Sequence, residues 1–273
     1  MPLFIFISGL FFKSSLNKDI KTLLFNKTKR LLLPTFVYST IIILLCTIII
    51  HIPPTIGFLY KQYSCYWYLI CLFLLTIFYF FFYKSNIFTR CIIIILYITA
   101  VVCYDYLPGK ILKDCQIIRQ TFIFGIGTFI SVYWQSYFKE LNYLKKTIAI
   151  ILCTIFIVVI RLCFGFNMMD YPIYIRILDG FVCSMMVLHL IYGILQRIQS
   201  LNICKPLIYL GQNSLGIYLI HAVVVRIFKY TDCSIEYNML NIVILTALLL
   251  LGSVFIIEVI KRSTKSYSFI FGV

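Results

Sequence analysis

Eight apolar stretches of about 17 to 24 residues follow one another along the chain, and a shorter one opens it at residues 1–12. A helix needs about 20 apolar residues to cross the hydrocarbon core of a bilayer, and these stretches lack the alternating polarity of membrane β-strands. The sequence therefore predicts an all-α fold, a polytopic transmembrane bundle of about nine helices. After the opening segment, the predicted helices lie at about 31–52, 66–83, 88–106, 117–134, 147–166, 175–195, 206–228 and 239–260.

The composition excludes an ordinary soluble protein, because 62% of the residues are hydrophobic and only 12% are charged. The net charge of +15 would suggest nucleic acid in a soluble protein, but a basic excess in the loops of a membrane protein normally reflects topology. We therefore expect the lipid bilayer as a partner and no nucleic acid. No loop is long enough for a separate soluble domain, so residues 1–273 are predicted to form a single integral membrane domain.

The basic residues also predict the orientation of the chain. One set of alternate loops, at 13–30, 84–90, 139–146, 197–205 and 261–265, holds 16 Lys and Arg residues, and the other set holds 8. Cytoplasmic loops are enriched in these residues, so the first set is assigned to the cytoplasm. The sequence predicts a multi-pass protein of the cell (inner) membrane, with its carboxyl end in the cytoplasm and Met1 outside.

The opening segment MPLFIFISGLFF is too short for a complete span, since about twelve helical residues rise only about 18 Å. Its charges follow the apolar residues, and no small-residue cleavage site appears, so it does not read as a signal peptide. One additional helix ahead of Met1 would place both chain ends in the cytoplasm. We therefore expect a chain that is truncated at its amino end.

Lys27, Lys29 and Arg30 form a basic cluster next to Pro34, which is predicted to lie in the first turn of the following helix. A loop that fixes topology would explain this cluster completely. Alternatively, three cations at a helix start would bind a cytoplasmic polyanion, such as the phosphates of a nucleotide-bearing donor. Both interpretations can hold together.

A second polar cluster runs from Tyr209 to His221. Gly211 suits a break and Asn213 or Ser214 suits a helix cap, while Tyr218 and His221 lie three apart on one face of the next helix. An ionisable group well inside a span is a functional candidate by default, so His221 is the predicted catalytic residue. The structural alternative is an imidazole that hydrogen-bonds between helices.

Other polar residues inside the predicted spans are Arg161, Arg176, Asp179, His189 and Glu258. Arg176 and Asp179 are three apart, which predicts an ion pair on one helix; an outward-facing polar pocket with Arg161 is the alternative. Glu258 reads as a boundary residue beside Lys261. The eleven cysteines form no CxxC pair, and the chain has no DxD and no Gly-rich phosphate loop, so we predict neither a metal nor a bound cofactor.

Four motifs together resemble the acyltransferase 3 family of integral membrane proteins, and specifically its branch similar to fucose 4-O-acetylases. They occur in the family's order: the opening Met1-Pro2-Leu3-Phe4-Ile5-Phe6-Ile7-Ser8-Gly9, then Lys29-Arg30-Leu31-Leu32-Leu33-Pro34, Tyr66-Trp67-Tyr68-Leu69, and Asn213-Ser214-Leu215-Gly216-Ile217-Tyr218-Leu219-Ile220-His221. The resemblance implies a ten-helix bundle that moves an acyl group, commonly acetyl, from acyl-coenzyme A to a hydroxyl of a cell-surface saccharide.

The resemblance further implies that the donor and substrate contact residues at these motif positions. With Arg161 added from the intramembrane polar residues, the expected binding residues are Ser8, Gly9, Lys29, Arg30, Trp67, Arg161, Asn213, Ser214 and Tyr218. Family members usually have an Arg and a His in a first helix, and a further His directly before the Met-Pro-Leu-Phe string; this chain begins at that Met. The alternative functions are an exporter or polymerase of polysaccharide or lipid-linked sugar, and a catalytically inactive membrane fragment.

Overall fold

The computed structural model describes residues 2–49, 51, 53–63, 66–103, 117–133, 143–164, 172–198, 209–230 and 239–263. Their regular elements are helical: α1 (Pro2–Leu10), α2 (Lys13–Leu16), α3 (Ile20–Lys27), a π turn (Thr28–Leu32), α4 (Leu33–Ile49), α5 (Ile56–Tyr63), α6 (Trp67–Lys84), α7 (Ile87–Val102), α8 (Ile117–Tyr133), α9 (Tyr143–Phe164), α10 (Ile173–Ile198), α11 (Ser214–Tyr230) and α12 (Met239–Ser263). A short helical turn at 209–212 precedes α11.

By length and composition, five helices among these described residues could cross a membrane: Ile20–Ile48, Trp67–Lys84, Thr147–Phe164, Ile173–Ile191 and Val243–Arg262. Three shorter apolar helices are Ile87–Val102, Ile117–Tyr133 and Ser214–Ile227. These eight segments correspond to the eight long apolar stretches of the sequence, and the described part of the chain contains no strand. The predicted all-α membrane bundle is confirmed.

Pro34 lies in the first turn of α4, as predicted, but the prediction that a loop precedes this turn is wrong. The helix runs without a break from Ile20 into α4, so Pro34 lies inside a longer helix. Proline has no amide proton, and its ring would collide with the carbonyl four residues earlier, here that of Arg30. The π turn at Thr28–Leu32 provides the wider spacing that the ring requires, and Thr35 Oγ1 donates to the Leu31 carbonyl at 2.7 Å.

The contacts divide the chain into two compact units. Unit 1 comprises Met1–Leu23 and Leu74–Leu201, and unit 2 comprises Leu24–Phe73 and Asn202–Val273. Each unit has fully buried apolar side chains, such as Phe6 and Ile123 in unit 1 and Ile42 and Leu219 in unit 2. The assignment of residues 1–273 to a single domain stays a prediction.

In unit 1, α1 packs against α8 where two glycines face each other. A Cβ atom built on Gly9 would lie 2.6 Å from the Phe124 carbonyl oxygen and 3.0 Å from the Gly127 Cα atom. Small residues let helix backbones approach this closely, and in membranes they are enriched at such crossings. Lys13 N continues the contact by donating to Ser131 Oγ at 3.2 Å. Gly9 therefore has a packing role, whatever else it does.

We expect Gly9→Ala to lower the free energy of unfolding by about 1–3 kcal/mol, because the added methyl group meets backbone that cannot rotate away. Thermal unfolding of the purified protein in detergent would measure this change. Gly252→Ala is the matched control, since among the described residues no atom outside its own stretch of helix lies within 4 Å of a Cβ atom built there. Alanine is the better helix former by about 1 kcal/mol, so the control should be neutral or stabilising. Equal stability of both variants would contradict the close crossing.

Also in unit 1, a tight connection at Ser85 and Asn86 joins α6 to α7. The Asn86 side chain caps α7 by accepting from the Thr89 amide at 2.9 Å. Arg90 Nε donates to the carbonyls of Phe82 and Ser85, each at 3.1 Å, and its Nη2 donates to that of Tyr83. A cation at the carboxyl end of a helix satisfies its last carbonyls and complements its dipole. One arginine thus fixes the geometry of this hairpin.

Candidate active site

Three tyrosines and a histidine come together in unit 2. The ring centroid of Tyr218 lies 6.2 Å from that of Tyr66, 5.8 Å from that of Tyr68 and 6.3 Å from that of His221. Tyr66 is completely buried, and its hydroxyl donates to the Leu219 carbonyl at 3.4 Å. We call these four residues the aromatic cluster.

His221 lies at the edge of the aromatic cluster and is half-buried, whereas Leu219, Ile220, Ala222 and Val223 on either side of it in the sequence are buried. The imidazole can therefore meet a substrate while the helix around it stays packed. Trp67, another predicted binding residue, is half-buried next to the cluster, with its ring 6.5 Å from that of Tyr68. The structure thus brings Trp67, Tyr218 and His221 into one region.

The predicted helix break ahead of His221 is an interruption of one residue, at Asn213. It separates the helical turn at 209–212 from α11, two residues beyond Gly211, although the Asn213 backbone amide still donates to the Tyr209 carbonyl at 3.1 Å. Asn213 is buried, and its amide nitrogen Nδ2 donates to the Tyr209 carbonyl at 2.8 Å. The exposed Ser214 therefore lies one turn before Tyr218 on the same helix.

The predicted basic residues Lys29 and Arg30 lie on the π turn, within a continuous helix rather than at its start. Lys29 is half-buried and Arg30 is exposed. A polyanion site at a helix start would be strengthened by free amide groups and by the helix dipole. The amide groups of this turn lie inside the helix, so neither contributes here. The charge and exposure of the two side chains remain, so recognition of phosphates would rest on the side chains.

Tyr209 connects the beginning of this region to α12. Its hydroxyl donates to Glu258 Oε1, and Lys261 Nζ donates to the same oxygen at 3.3 Å and lies 4.9 Å from the Tyr209 ring centroid. Glu258 therefore has two partners near the end of α12, in agreement with its interpretation as a boundary residue. The contact holds the turn that precedes Asn213 against α12.

The remaining predicted site residues lie in unit 1. Ser8 is half-buried on α1, one position before the glycine crossing. Arg161 on α9 pairs with Asp179 on α10, with Nη2 and Oδ2 3.5 Å apart and side-chain exposures of 18% and 4%. The ion pair between Asp179 and Arg161 thus joins two helices, whereas the spacing in the sequence pointed to Arg176 on the same helix as the partner.

Sequence reasoning missed Gln120, which is completely buried on α8 although neither Nε2 nor Oε1 of its amide has a hydrogen-bond partner among the described residues. It lies on the face of α8 that packs against α1, seven residues before Gly127. A buried amide without partners is unfavourable and calls for an explanation. Gln120 is therefore a candidate ligand for a polar group of a substrate; a glutamine alone carries no sequence signal that would have indicated this.

A family model described as an acyltransferase domain matches residues 1–258 of the chain. The chain belongs to the acyltransferase 3 family. Searches of curated proteins and of solved structures found no match. As a member of this family, the protein is a membrane acyltransferase, and the family predicted from the four motifs is confirmed.

Acyl transfer to a hydroxyl requires a group that removes the hydroxyl proton. Of the histidines in this acyltransferase, His189 is 3% exposed and its Nδ1 lies 2.7 Å from the Met185 carbonyl, while His51 is exposed in the connection between α4 and α5. His221 combines partial exposure with a built environment. Within the described residues, no group of three or more His, Cys, Asp or Glu could hold a metal ion.

Proposed function

We propose that this acyltransferase moves an acyl group, most simply acetyl, from acyl-coenzyme A to a hydroxyl of a cell-surface saccharide, with His221 as the general base. The position of His221 carries the proposal: it is half-buried at the edge of three tyrosines, on the helix that follows the break at Asn213. The resemblance to the fucose 4-O-acetylase-like branch supports a sugar hydroxyl as acceptor.

In the proposed reaction, the neutral imidazole of His221 takes the proton from the acceptor hydroxyl. The oxygen attacks the thioester carbonyl carbon, a carbon–oxygen bond forms and the carbon–sulfur bond breaks. The imidazolium then returns the proton to the thiolate, which leaves as free coenzyme A. Burial of the reacting groups beside the aromatic cluster would exclude water, which competes with the sugar as acceptor.

The donor would be held by its phosphates at Lys29 and Arg30. In unit 2, α4 packs on α11. The loop alternation predicts that both helices start on the cytoplasmic side. His221 lies seven residues after Ser214, the first residue of α11, which is about 10 Å along the helix. Coenzyme A has a long pantetheine arm, so its phosphates could be bound at the π turn while its thioester reacts at His221.

The test is transfer of radiolabelled acetyl from acetyl-coenzyme A by the purified protein in lipid nanodiscs, with fucose-containing and other cell-surface glycans as acceptors. We expect base-labile label in the glycan and an equal amount of released thiol. Thiol release without labelled glycan would indicate hydrolysis and contradict the acceptor. A protein that retains its helical content but releases no thiol would contradict the proposal as a whole.

We expect Arg30→Gln to raise the KM for acetyl-coenzyme A roughly tenfold, because a charge-assisted hydrogen bond to a phosphate is worth about 1.5–3 kcal/mol. The kcat should stay within about twofold, since the phosphates take no part in bond making. Steady-state kinetics at saturating acceptor would measure both constants. Arg262→Gln, which removes an exposed arginine at the end of α12, is the matched control. A KM that changes equally in both variants would refute phosphate binding at the π turn.

A further inference from the structure

A groove of about 350 Å³ lies in unit 1 between the carboxyl end of α6 and the beginning of α7. We call it the α6–α7 groove. The aromatic rings of Phe78, Phe81 and Phe82 and the side chain of Ile93 form its apolar walls, and Lys84 lies at its polar end with Ser85 and Thr89. The size is within the range of small-molecule sites.

The walls of the groove belong to an exposed apolar surface. Phe78 is 38% exposed and Phe81 54% exposed, and on α7 the side chains of Ile87 and Phe88 are more than two-thirds exposed, at 79% and 72%. On helices that cross a membrane, such side chains are covered by hydrocarbon. The groove therefore opens where a lipid chain can enter from the bilayer.

The polar end of the groove carries positive charge that no acidic residue offsets within the hairpin. Lys84 is exposed, and residues 66–103 contain no Asp or Glu. Arg90 adds a second cation close to the connection, held by the helix carbonyls. The Ser85 hydroxyl donates to the Phe82 carbonyl, and the Thr89 hydroxyl donates to Asn86 Oδ1. Their hydrogens are therefore already used, and only the oxygen lone pairs of these hydroxyls remain for a ligand. The two cations, and not these hydroxyls, therefore favour an anion here.

We propose that the α6–α7 groove binds an anionic phospholipid, with one acyl chain along Phe78, Phe81 and Ile93 and the phosphate group next to Lys84. Lys84 Nζ lies 5.3 Å from the Phe80 ring centroid but has no acidic residue in its hairpin. An apolar cleft that ends in such a cation complements an amphiphilic anion. The connection between α6 and α7 is predicted to lie on the cytoplasmic side, next to the membrane leaflet that carries anionic lipids. Lipid binding at this groove does not depend on acyl transfer, so it can be tested separately from the proposed reaction.

The test uses the full-length protein in nanodiscs that contain a photoactivatable phosphatidylglycerol with the reactive group in its acyl chain, and, separately, the matching phosphatidylcholine probe. Peptide mapping should locate the phosphatidylglycerol label within 78–93. We expect Lys84→Gln to reduce this label roughly fivefold, the effect of about one surface lysine on an anionic lipid, and to leave the phosphatidylcholine label unchanged. Lys145→Gln, an exposed lysine in the first turn of α9, is the matched control and should change neither label.

A second variant, Ile93→Trp, fills the groove and should reduce phosphatidylglycerol labelling in 78–93 without altering the charge. Equal labelling of this segment by both lipids, with no effect of Lys84→Gln, would show that only the general lipid shell occupies the groove and would overturn the proposal. So would labelling that persists unchanged in a folded Ile93→Trp protein. The folded state of each variant is checked by size-exclusion chromatography and by its thermal unfolding curve.

Discussion

His221→Ala is expected to lower kcat for acyl transfer by about 10²–10⁴, the usual contribution of a general base. The same variant should retain most of its folded protein in the membrane, because His221 is half-buried and its neighbours Leu219 and Ile220 hold the helix. Acetyl transfer per folded molecule, measured with radiolabelled acetyl-coenzyme A, separates the two quantities.

His51→Asn is the matched control for this prediction. His51 is exposed and has a left-handed backbone with a φ of 57°, which asparagine tolerates well, so the variant should behave as the parent protein does. An equal loss of activity and folded protein in His221→Ala would favour the structural role of an imidazole between helices. Full activity in that variant would exclude His221 as the base.

Asp179→Asn is expected to lower the free energy of unfolding by about 3–5 kcal/mol, because it leaves the Arg161 guanidinium largely buried without its counter-charge. Asp179 is the more buried member of the pair, with 4% of its side chain exposed. Thermal unfolding in detergent would measure the loss.

The double variant Arg161→Met with Asp179→Leu tests what the pair is for. Replacing both charges by apolar residues of similar size is often neutral, so this protein should be close to the parent in stability. If Arg161 also binds substrate, the stable double variant will have lost activity; if it serves packing alone, activity will remain. Unchanged stability of Asp179→Asn would contradict a pair that matters to the fold.

The positions of the membrane helices could be predicted from the sequence because hydropathy depends on local composition. The start of the first long helix could not. Proline is favoured in the first turn of a helix, which supported a start at about residue 31, yet the π turn accommodates Pro34 inside a helix that begins at Ile20. The preference of proline for the first turn applies where a helix begins. It does not show whether helical residues precede that turn.

The candidate site was predictable only where its residues are close in sequence. Tyr218 and His221 share a helix face because of their spacing. Tyr66 is 153 positions from Leu219, yet the Tyr66 hydroxyl donates a hydrogen bond to the Leu219 carbonyl. Asp179 shows the same difficulty: the three-residue spacing indicated Arg176, whereas packing of α9 on α10 brings Arg161 to it. Contacts between helices depend on crossing positions that no single helix encodes.

The π turn is equivalent to one extra residue in an α-helix. That residue determines the direction in which the side chains ahead of the turn point. Each residue of an α-helix turns the chain by about 100°. Removing one residue from 28–32 would leave α4 in place but rotate Lys27 and the side chains before it by about that angle around the helix axis. The direction in which the basic side chains ahead of the π turn point therefore depends on a single inserted position.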